Sequence, residues 1–177
     1  MKRALPIVIA VALVATVLLC VFLAPPPLYM DRATSYLPLF RRYAARYGLD
    51  ICLLLAIANA ESAFDAAATS SAGAVGLMQL MPSTAEWVAA RNGWEYREQE
   101  LFEAEYNLAI ACSYIVYLRG KFRDEWVLAA YNAGEGVVGE WLREGRTAEN
   151  IPYRETRDYV AKVRKLSKRY CQRGVCG

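Results

Sequence analysis

ICLLLAIANAES, residues 51–62, is a helical segment that is apolar along almost its whole length. Asp50 stands directly before it and can cap its first turn. Leu53 and Ile57 share a face at helical spacing, and that face continues to Glu61 at the end of the segment. The sequence therefore predicts a core helix that carries a carboxylic acid in its last turn.

Helical patterns continue on both sides of this segment. Before it, apolar residues recur at helical spacing from residue 37 to 47 and stop at Gly48; after it, residues 62–76 are rich in Ala, Ser, Thr and Gly and predict an irregular loop. No alternating strand pattern is longer than four residues. The sequence predicts an all-α fold, with at most a small hairpin. Further helices are expected at about 82–90, 103–119, 124–131 and 155–170, with a glycine-loosened stretch at 134–139.

An uncharged run of 21 residues from Ala4 to Ala24 opens the chain, behind Lys2 and Arg3 and ahead of three prolines. A helix of this length spans roughly 30 Å, enough to cross a bilayer. The preceding positive charges favour a cytoplasmic N-terminus. We expect residues 1–31 to be an uncleaved signal anchor and linker; a cleaved signal peptide and a lipoprotein signal are the alternatives.

The remaining chain is long enough for one domain, which we place at residues 32–170, followed by a short tail at 171–177. The formal net charge of +3 is too balanced to indicate nucleic-acid binding. The chain has no histidine, which excludes His-based catalytic triads and His-containing zinc sites. We therefore expect no metal and no cofactor.

Five cysteines are present, and Cys20 falls in the expected anchor. Cys171 and Cys176 are separated by four residues that include a glycine, so we predict a local disulfide between them outside the cytoplasm. Cys52 and Cys112 lie in apolar helical contexts. They are either buried thiols or a second bridge, and the sequence leaves both open.

Glu61 is the residue best placed for chemistry. A carboxylic acid at the end of an apolar helix, facing a loop of small residues, is partly desolvated. Desolvation raises the pKa of a carboxyl group because it disfavours the anion. A glutamic acid that stays protonated near neutral pH can donate a proton to a glycosidic oxygen.

Four motifs around Glu61 occur in a fixed order: ES-x-F at 61–64, GA-x-GLMQLMP at 73–82, AYNAG at 130–134 and IPYRETRDYV at 151–160. Together they resemble the soluble lytic transglycosylase domain of the family 1 type, which has a goose-type lysozyme-like fold. The resemblance covers about residues 37–165. One departure is Asp65-Ala66, where the family usually has Asn-Pro.

The resemblance implies a role for individual residues. It makes Glu61 the catalytic acid and base, with Ser62 in a structural role beside it. Met78 belongs either to the cleft or to the core, and Tyr153 and Tyr159 are either core residues or sugar platforms. Asp65 is expected to cap its loop rather than to act as a second carboxylate. Residues implied to line the substrate cleft are Ser70, Gln79, Met81, Tyr131, Asn132 and Glu155.

The resemblance also implies the reaction: cleavage of the peptidoglycan glycan strand between N-acetylmuramic acid and N-acetylglucosamine, leaving 1,6-anhydromuramic acid ends. The expected partners are glycan strands, and the membrane through the N-terminal helix, with the domain on the outer side. A muramidase that hydrolyses the same bond is the first alternative. A non-catalytic wall-binding assembly module is the second.

Overall fold

The computed structural model describes residues 28–174, with side chains from residue 32 onward. In this part of the chain the regular structure is entirely helical, which confirms the predicted all-α class. The helices are α1 (Leu28–Tyr47), α2 (Ile51–Ser62), α3 (Pro82–Asn92), a 3-10 helix (Glu98–Phe102), α4 (Ala104–Lys121), α5 (Asp124–Ala133), α6 (Glu135–Arg143) and α7 (Arg154–Gln172).

α2 is the helix around which the domain is built. Asp50 caps it as predicted, because its carboxylate accepts a hydrogen bond of 2.7 Å from the backbone N–H of Cys52. α7 packs along α2, and α1 also contacts it. A helix enclosed in this way must be apolar on nearly all sides, as this sequence is. Its buried residues are Cys52, Leu54, Leu55, Ala56, Ile57 and Ala58.

The stretch that follows Gly134 differs from the sequence expectation. Its three glycines predicted a loose segment, but the chain forms the regular helix α6. Val138 and Trp141 are buried on one side of this helix, and the Trp141 ring lies 6.4 Å from that of Trp126 in α5. Burial of these two apolar side chains therefore outweighs the low helix propensity of glycine.

The small hairpin left open by the sequence is reduced to two isolated β-bridges between α2 and α3. Val75 pairs with Thr69 on one side and with Leu80 on the other. The N–H groups of Val75 and Leu80 each donate to the carbonyl of the other residue, at 2.9 and 3.0 Å. These bonds fold residues 69–80 into a compact loop above the end of α2.

The predicted membrane segment at residues 4–24 lies outside the described residues. No helix between residues 28 and 174 combines the length and the apolar character needed to cross a bilayer. α1 begins at Leu28, four residues before the domain start proposed from sequence, and it accommodates Pro38 within its length.

The structure distinguishes the bridged cysteines from the thiols, which the sequence could not do. Cys52 is disulfide-bonded and Cys112 is a buried thiol, so these two do not bridge each other. Ligand atoms of Asp50, Cys52 and Cys171 lie within 4.8 Å of one another, but a disulfide sulfur is not a metal-binding thiolate. Cys171 is an exposed thiol in this structure, so the predicted Cys171–Cys176 disulfide is wrong; the bridge is made by Cys52, with a cysteine outside the described residues.

Candidate active site

A cleft of about 440 Å³ opens at the C-terminal end of α2. Its walls come from the end of α2, the loop between α2 and α3, the end of α5 and the start of α7. All seven candidate residues named from the sequence line this one cleft, although they are spread over nearly a hundred positions. They are Glu61, Ser70, Gln79, Met81, Tyr131, Asn132 and Glu155.

A tight turn directly after Glu61 fixes the end of α2. Ala63 and Phe64 both have positive φ, 51° and 63°, a conformation that is uncommon for residues other than glycine. Phe64 is buried and meets the rings of Phe40 and Tyr170 edge-on, at 6.2 and 6.5 Å between centroids. Burial of this ring offsets the backbone strain and holds Glu61 at the floor of the cleft.

The carboxyl group of Glu61 is set up to hold a proton near neutral pH. Burial raises its pKa from the ordinary value of 4.5 to about 7. The Tyr159 hydroxyl beside it and the charge of Lys162 both act in the opposite direction, because each favours the carboxylate. Burial is the larger effect, so the acid form persists at a pH where an exposed glutamate would be ionised.

α7 supplies these two neighbours and also braces the end of α2. The amine of Lys162 donates a 2.8 Å hydrogen bond to the carbonyl of Ala60, one residue before Glu61. A cation at the C-terminal end of a helix is favoured by the helix dipole. One residue before Ala60, the amide of Asn59 donates to the hydroxyl of Tyr170 at 2.6 Å. The position of Glu61 therefore depends on α7 as well as on its own helix.

Ser62 and Asp65 shape the loop rather than the cleft surface. The Ser62 hydroxyl donates to the carbonyl of Leu77 at 2.8 Å and accepts from the N–H of Asp65 at 3.2 Å. The Asp65 carboxylate accepts from the N–H of Ala67 at 3.0 Å. Asp65 does not line the cleft, and its geometry is that of a turn cap.

Ser70 and Gln79 present specific atoms to the cleft because their other polar atoms are occupied. The Ser70 oxygen accepts from the N–H of Ala74 at 3.0 Å, which leaves its hydroxyl hydrogen available. Both hydrogens of the Gln79 amide are used, at 3.1 Å to the carbonyl of Ala68 and 3.0 Å to that of Gly76. Gln79 therefore offers its carbonyl oxygen as an acceptor.

Asn107, which is fully buried, holds the loop from beneath. Its amide donates to the carbonyls of Val75 and Leu101 at 3.0 and 2.9 Å, and its oxygen accepts from the N–H of Met78 at 2.8 Å. Gly76 lies against this side chain with φ +81°, and an added Cβ would stand 2.2 Å from the Leu101 carbonyl oxygen. Only glycine fits at this position without displacing the frame of the loop.

The remaining candidates complete the walls. Tyr131 donates its hydroxyl to the carbonyl of Met78 at 2.8 Å, and its pKa is raised, first by burial and then by the charge of Glu61. Met81 is 40% exposed at the rim, whereas Met78 is fully buried and belongs to the core. Tyr153 is exposed and packs edge-on against Trp141, away from the cleft-lining residues.

Sequence reasoning missed three features of this site. Thr84 and Tyr114 line the cleft, but neither belongs to one of the motifs. The sequence left the role of Tyr159 undecided between core residue and sugar platform. In the structure its side chain is buried, and its hydroxyl interacts with the carboxyl group of Glu61. Tyr159 therefore belongs to the buried surroundings of Glu61 rather than to the sugar-binding surface of the cleft.

Comparison with known proteins places these features in a family context. The model of the Transglycosylase SLT domain matches residues 38–153. The chain is 39% identical over 140 residues to the soluble lytic murein transglycosylase of Salmonella typhimurium, covering 73% of this chain and 22% of that protein. It is 33% identical over 170 residues to the membrane-bound lytic murein transglycosylase C of Histophilus somni, covering 78% and 47%. The chain thus spans less than half the length of either relative.

Solved structures agree with the fold. An inactive glutamate-to-glutamine mutant of a lytic transglycosylase from Pseudomonas aeruginosa superposes with a TM-score of 0.70 at 35% identity, covering 76% of this chain and 23% of that one. The 70 kDa soluble lytic transglycosylase in complex with bulgecin A gives a TM-score of 0.71 at 36% identity, covering 77% and 24%. The helical arrangement described here is therefore that of the matching part of those larger enzymes.

Proposed function

The chain belongs to the transglycosylase SLT domain family, and from that membership and the chemistry of the cleft we propose that it is a peptidoglycan lytic transglycosylase. It would cleave the β-1,4 bond between N-acetylmuramic acid and N-acetylglucosamine and leave 1,6-anhydromuramic acid ends. The observation that carries the proposal is the carboxyl group of Glu61, held in the cleft with its pKa raised to about 7.

In the first step, protonated Glu61 donates its proton to the glycosidic oxygen as the bond to C1 of the muramic acid breaks. Positive charge develops at C1 in an oxocarbenium-like transition state. A general acid is most effective when its pKa lies near the working pH, which is the condition that burial creates at Glu61. Tyr131 and Tyr159, whose hydroxyls lie beside this acid, would help to hold it in position.

In the second step the same residue acts as a base. The Glu61 carboxylate takes the proton from the C6 hydroxyl of the muramic acid while O6 bonds to C1. One proton leaves Glu61 and one returns, one C–O bond breaks and one forms, and no water is consumed. The nucleophile belongs to the substrate, so it gains the proximity advantage of an intramolecular reaction.

The other cleft residues would bind the sugar at the point of cleavage. The carbonyl oxygen of Gln79 would accept a hydrogen bond from a sugar hydroxyl or acetamido N–H, and the hydroxyl of Ser70 would donate one. Met81 at the rim would contact an apolar face of a sugar. Asn132 and Glu155 would contact the strand on the opposite wall.

Two observations weigh against the alternatives. A muramidase normally needs a second carboxylate, but Asp65 is occupied as a turn cap outside the cleft, which leaves only the exposed Glu155. A non-catalytic wall-binding module has no use for a carboxyl group whose burial disfavours its ionised form. The inactive glutamate-to-glutamine mutant of the Pseudomonas aeruginosa enzyme also supports a glutamate-dependent reaction.

Product analysis tests the proposal. Purified walls digested with this protein should release fragments with anhydromuramic acid ends, which borohydride does not reduce. Fragments of a hydrolase end in a reducible sugar, and after reduction they are heavier by one water and two hydrogens. Predominantly reducible ends would make the protein a muramidase, and the absence of any cleavage by the folded protein would favour the binding module.

We further propose that residues 1–31 anchor the catalytic domain, residues 32–170, to the outer side of the membrane, with residues 171–177 as a tail. The 21-residue uncharged run supports this arrangement, as does the membrane-bound relative of Histophilus somni. Protease added to intact spheroplasts should degrade the domain. A mature protein that begins near residue 25 and is released from the envelope would contradict the anchor.

A further inference from the structure

A line of aromatic rings leads from the cleft to an exposed tryptophan. Tyr131 and Tyr114 line the cleft, with 5.8 Å between their ring centroids. Tyr114 stacks on Tyr117 at 6.3 Å, and Tyr117 meets Trp87 edge-on at 4.7 Å. Trp87 is 41% exposed. We call the surface formed by Trp87, Tyr117 and Arg91 the aromatic shelf.

The shelf is continuous with the cleft. A second depression of about 300 Å³ shares three lining residues with the cleft, Thr84, Tyr114 and Gly134, and reaches Trp87 at its far side. Beyond it, Tyr117 and Arg91 line a further open depression. A substrate that fills the cleft can therefore extend through the second depression as far as Trp87, at the edge of the shelf.

Arg91 gives the shelf its charge. Its guanidinium lies 5.8 Å from the ring centroid of Trp87 and 5.0 Å from that of Tyr117, and it makes no ion pair with any residue between 32 and 174. Lys121 also lies beside Tyr117, but its amine is 2.7 Å from the carboxylate of Glu135, so these two charges compensate each other. One positive charge, presented over two aromatic faces, remains unpaired.

This combination distinguishes between the two components of a peptidoglycan strand. The glycan backbone is neutral once the lactyl group of muramic acid is amidated, so the sugars offer no negative charge for Arg91 to bind. The peptide stems end in carboxylates, which a guanidinium binds with charge-assisted hydrogen bonds, and their aliphatic parts pack on aromatic rings. We propose that the aromatic shelf binds the peptide stem of a muramic acid next to the cleavage point, with Arg91 holding a carboxylate. This inference rests on the proposed function and adds a preference for peptide-bearing strands.

The test compares two forms of one substrate: glycan strands that carry their peptides, and the same strands after an amidase has removed them. For each variant the quantity measured is the ratio of kcat/KM on peptide-bearing strands to kcat/KM on stripped strands. Arg91→Gln should lower this ratio about fivefold, the size of one solvent-accessible charge pair. Arg119→Gln, an exposed arginine of α4 paired with Asp124, should leave the ratio at the wild-type value.

Salt dependence in the wild type provides a second measurement that needs no substitution. The ratio should fall between low and high ionic strength, because an exposed ion pair is screened. The inference is overturned if the ratio of the two kcat/KM values is unchanged in Arg91→Gln, or if it is insensitive to salt in the wild type. Arg91 would then only pack over the exposed rings of Trp87 and Tyr117. Failure of the proposed function gives a different result, since wild-type protein would then produce no anhydro ends from either substrate.

Discussion

Replacing Glu61 by glutamine should abolish wall cleavage and at the same time stabilise the protein at neutral pH. Glutamate and glutamine are nearly isosteric, so the fold should be preserved. The change removes only the transferable proton and the negative charge that burial opposes. General acid catalysis contributes about 10²–10⁴-fold, and Glu155, the other carboxylate that lines the cleft, is exposed rather than buried. The expected activity of Glu61→Gln is therefore below one hundredth of wild type.

The size of the stability gain follows from the pKa of Glu61. A group whose pKa rises on folding binds more protons in the folded than in the unfolded state, so stability falls as pH rises from the unfolded pKa to the folded one. Here the limits are 4.5 and about 7. At 1.36 kcal/mol per pKa unit, the cost of ionising Glu61 above pH 7 is about 3 kcal/mol. Glutamine carries no such cost, so Tm should rise by about 5–10 °C.

Thermal unfolding between pH 4 and 8 measures this effect. Wild type and Glu61→Gln should have similar stability near pH 4, and the curves should separate progressively up to about pH 7. Glu98→Gln, at an exposed glutamate without an ion pair among the described residues, should follow wild type throughout. A difference in Tm between Glu61→Gln and wild type that does not change with pH would refute the reasoning, because such a difference could not come from ionisation of Glu61.

Other substitutions test the frame of the site. Asn107→Ala should lower the free energy of unfolding by about 3–5 kcal/mol in denaturant titration, because three buried backbone groups lose their partner. Gly76→Ala should destabilise the protein more than Gly73→Ala, because both have positive φ but only position 76 clashes; equal effects would contradict the close contact. Lys162→Met should move the alkaline limb of kcat/KM to higher pH, because Lys162 lowers the pKa of Glu61; an unmoved limb would show no coupling between them. Peptide mapping without reductant should recover Cys52 in a bridged peptide and Cys171 as a thiol that alkylates; a peptide bridged through Cys171 would contradict the structure.

Local features of the fold could be predicted because short stretches of sequence determine them. Asp50 caps α2 through a bond to a residue two positions away, and the apolar composition of α2 requires a central position in any compact arrangement. α6 could not be predicted in this way. Its glycines predict a loosened stretch, whereas Val138 and Trp141 are buried by contacts with elements elsewhere in the chain.

The candidate site also contains features that the sequence predicted and features that it could not. The motifs named the residues that meet in the cleft, and the position of Glu61 at the end of an apolar helix predicted a raised pKa. Tyr159 and Lys162 were not identified as neighbours of Glu61, since they reach it from α7 and their spacing on that helix carries no sign of the contact. The order of motifs is visible in the sequence, but the distance between two helices is not.

The acid strength of Glu61 therefore has two origins that act in opposite directions. Burial by its own helix and the loop keeps the proton on the carboxyl group, while the charge of Lys162 and the hydroxyl of Tyr159 favour its release. In the mechanism we propose, Glu61 first donates a proton and then accepts one, and this requires such a balance: a much higher pKa would make the acid too weak to donate, and a much lower one would leave no proton to donate. Because Tyr159 and Lys162 both lie on α7, that helix lowers the pKa of Glu61 against the effect of burial, and so favours release of the proton in the first of the two proposed steps.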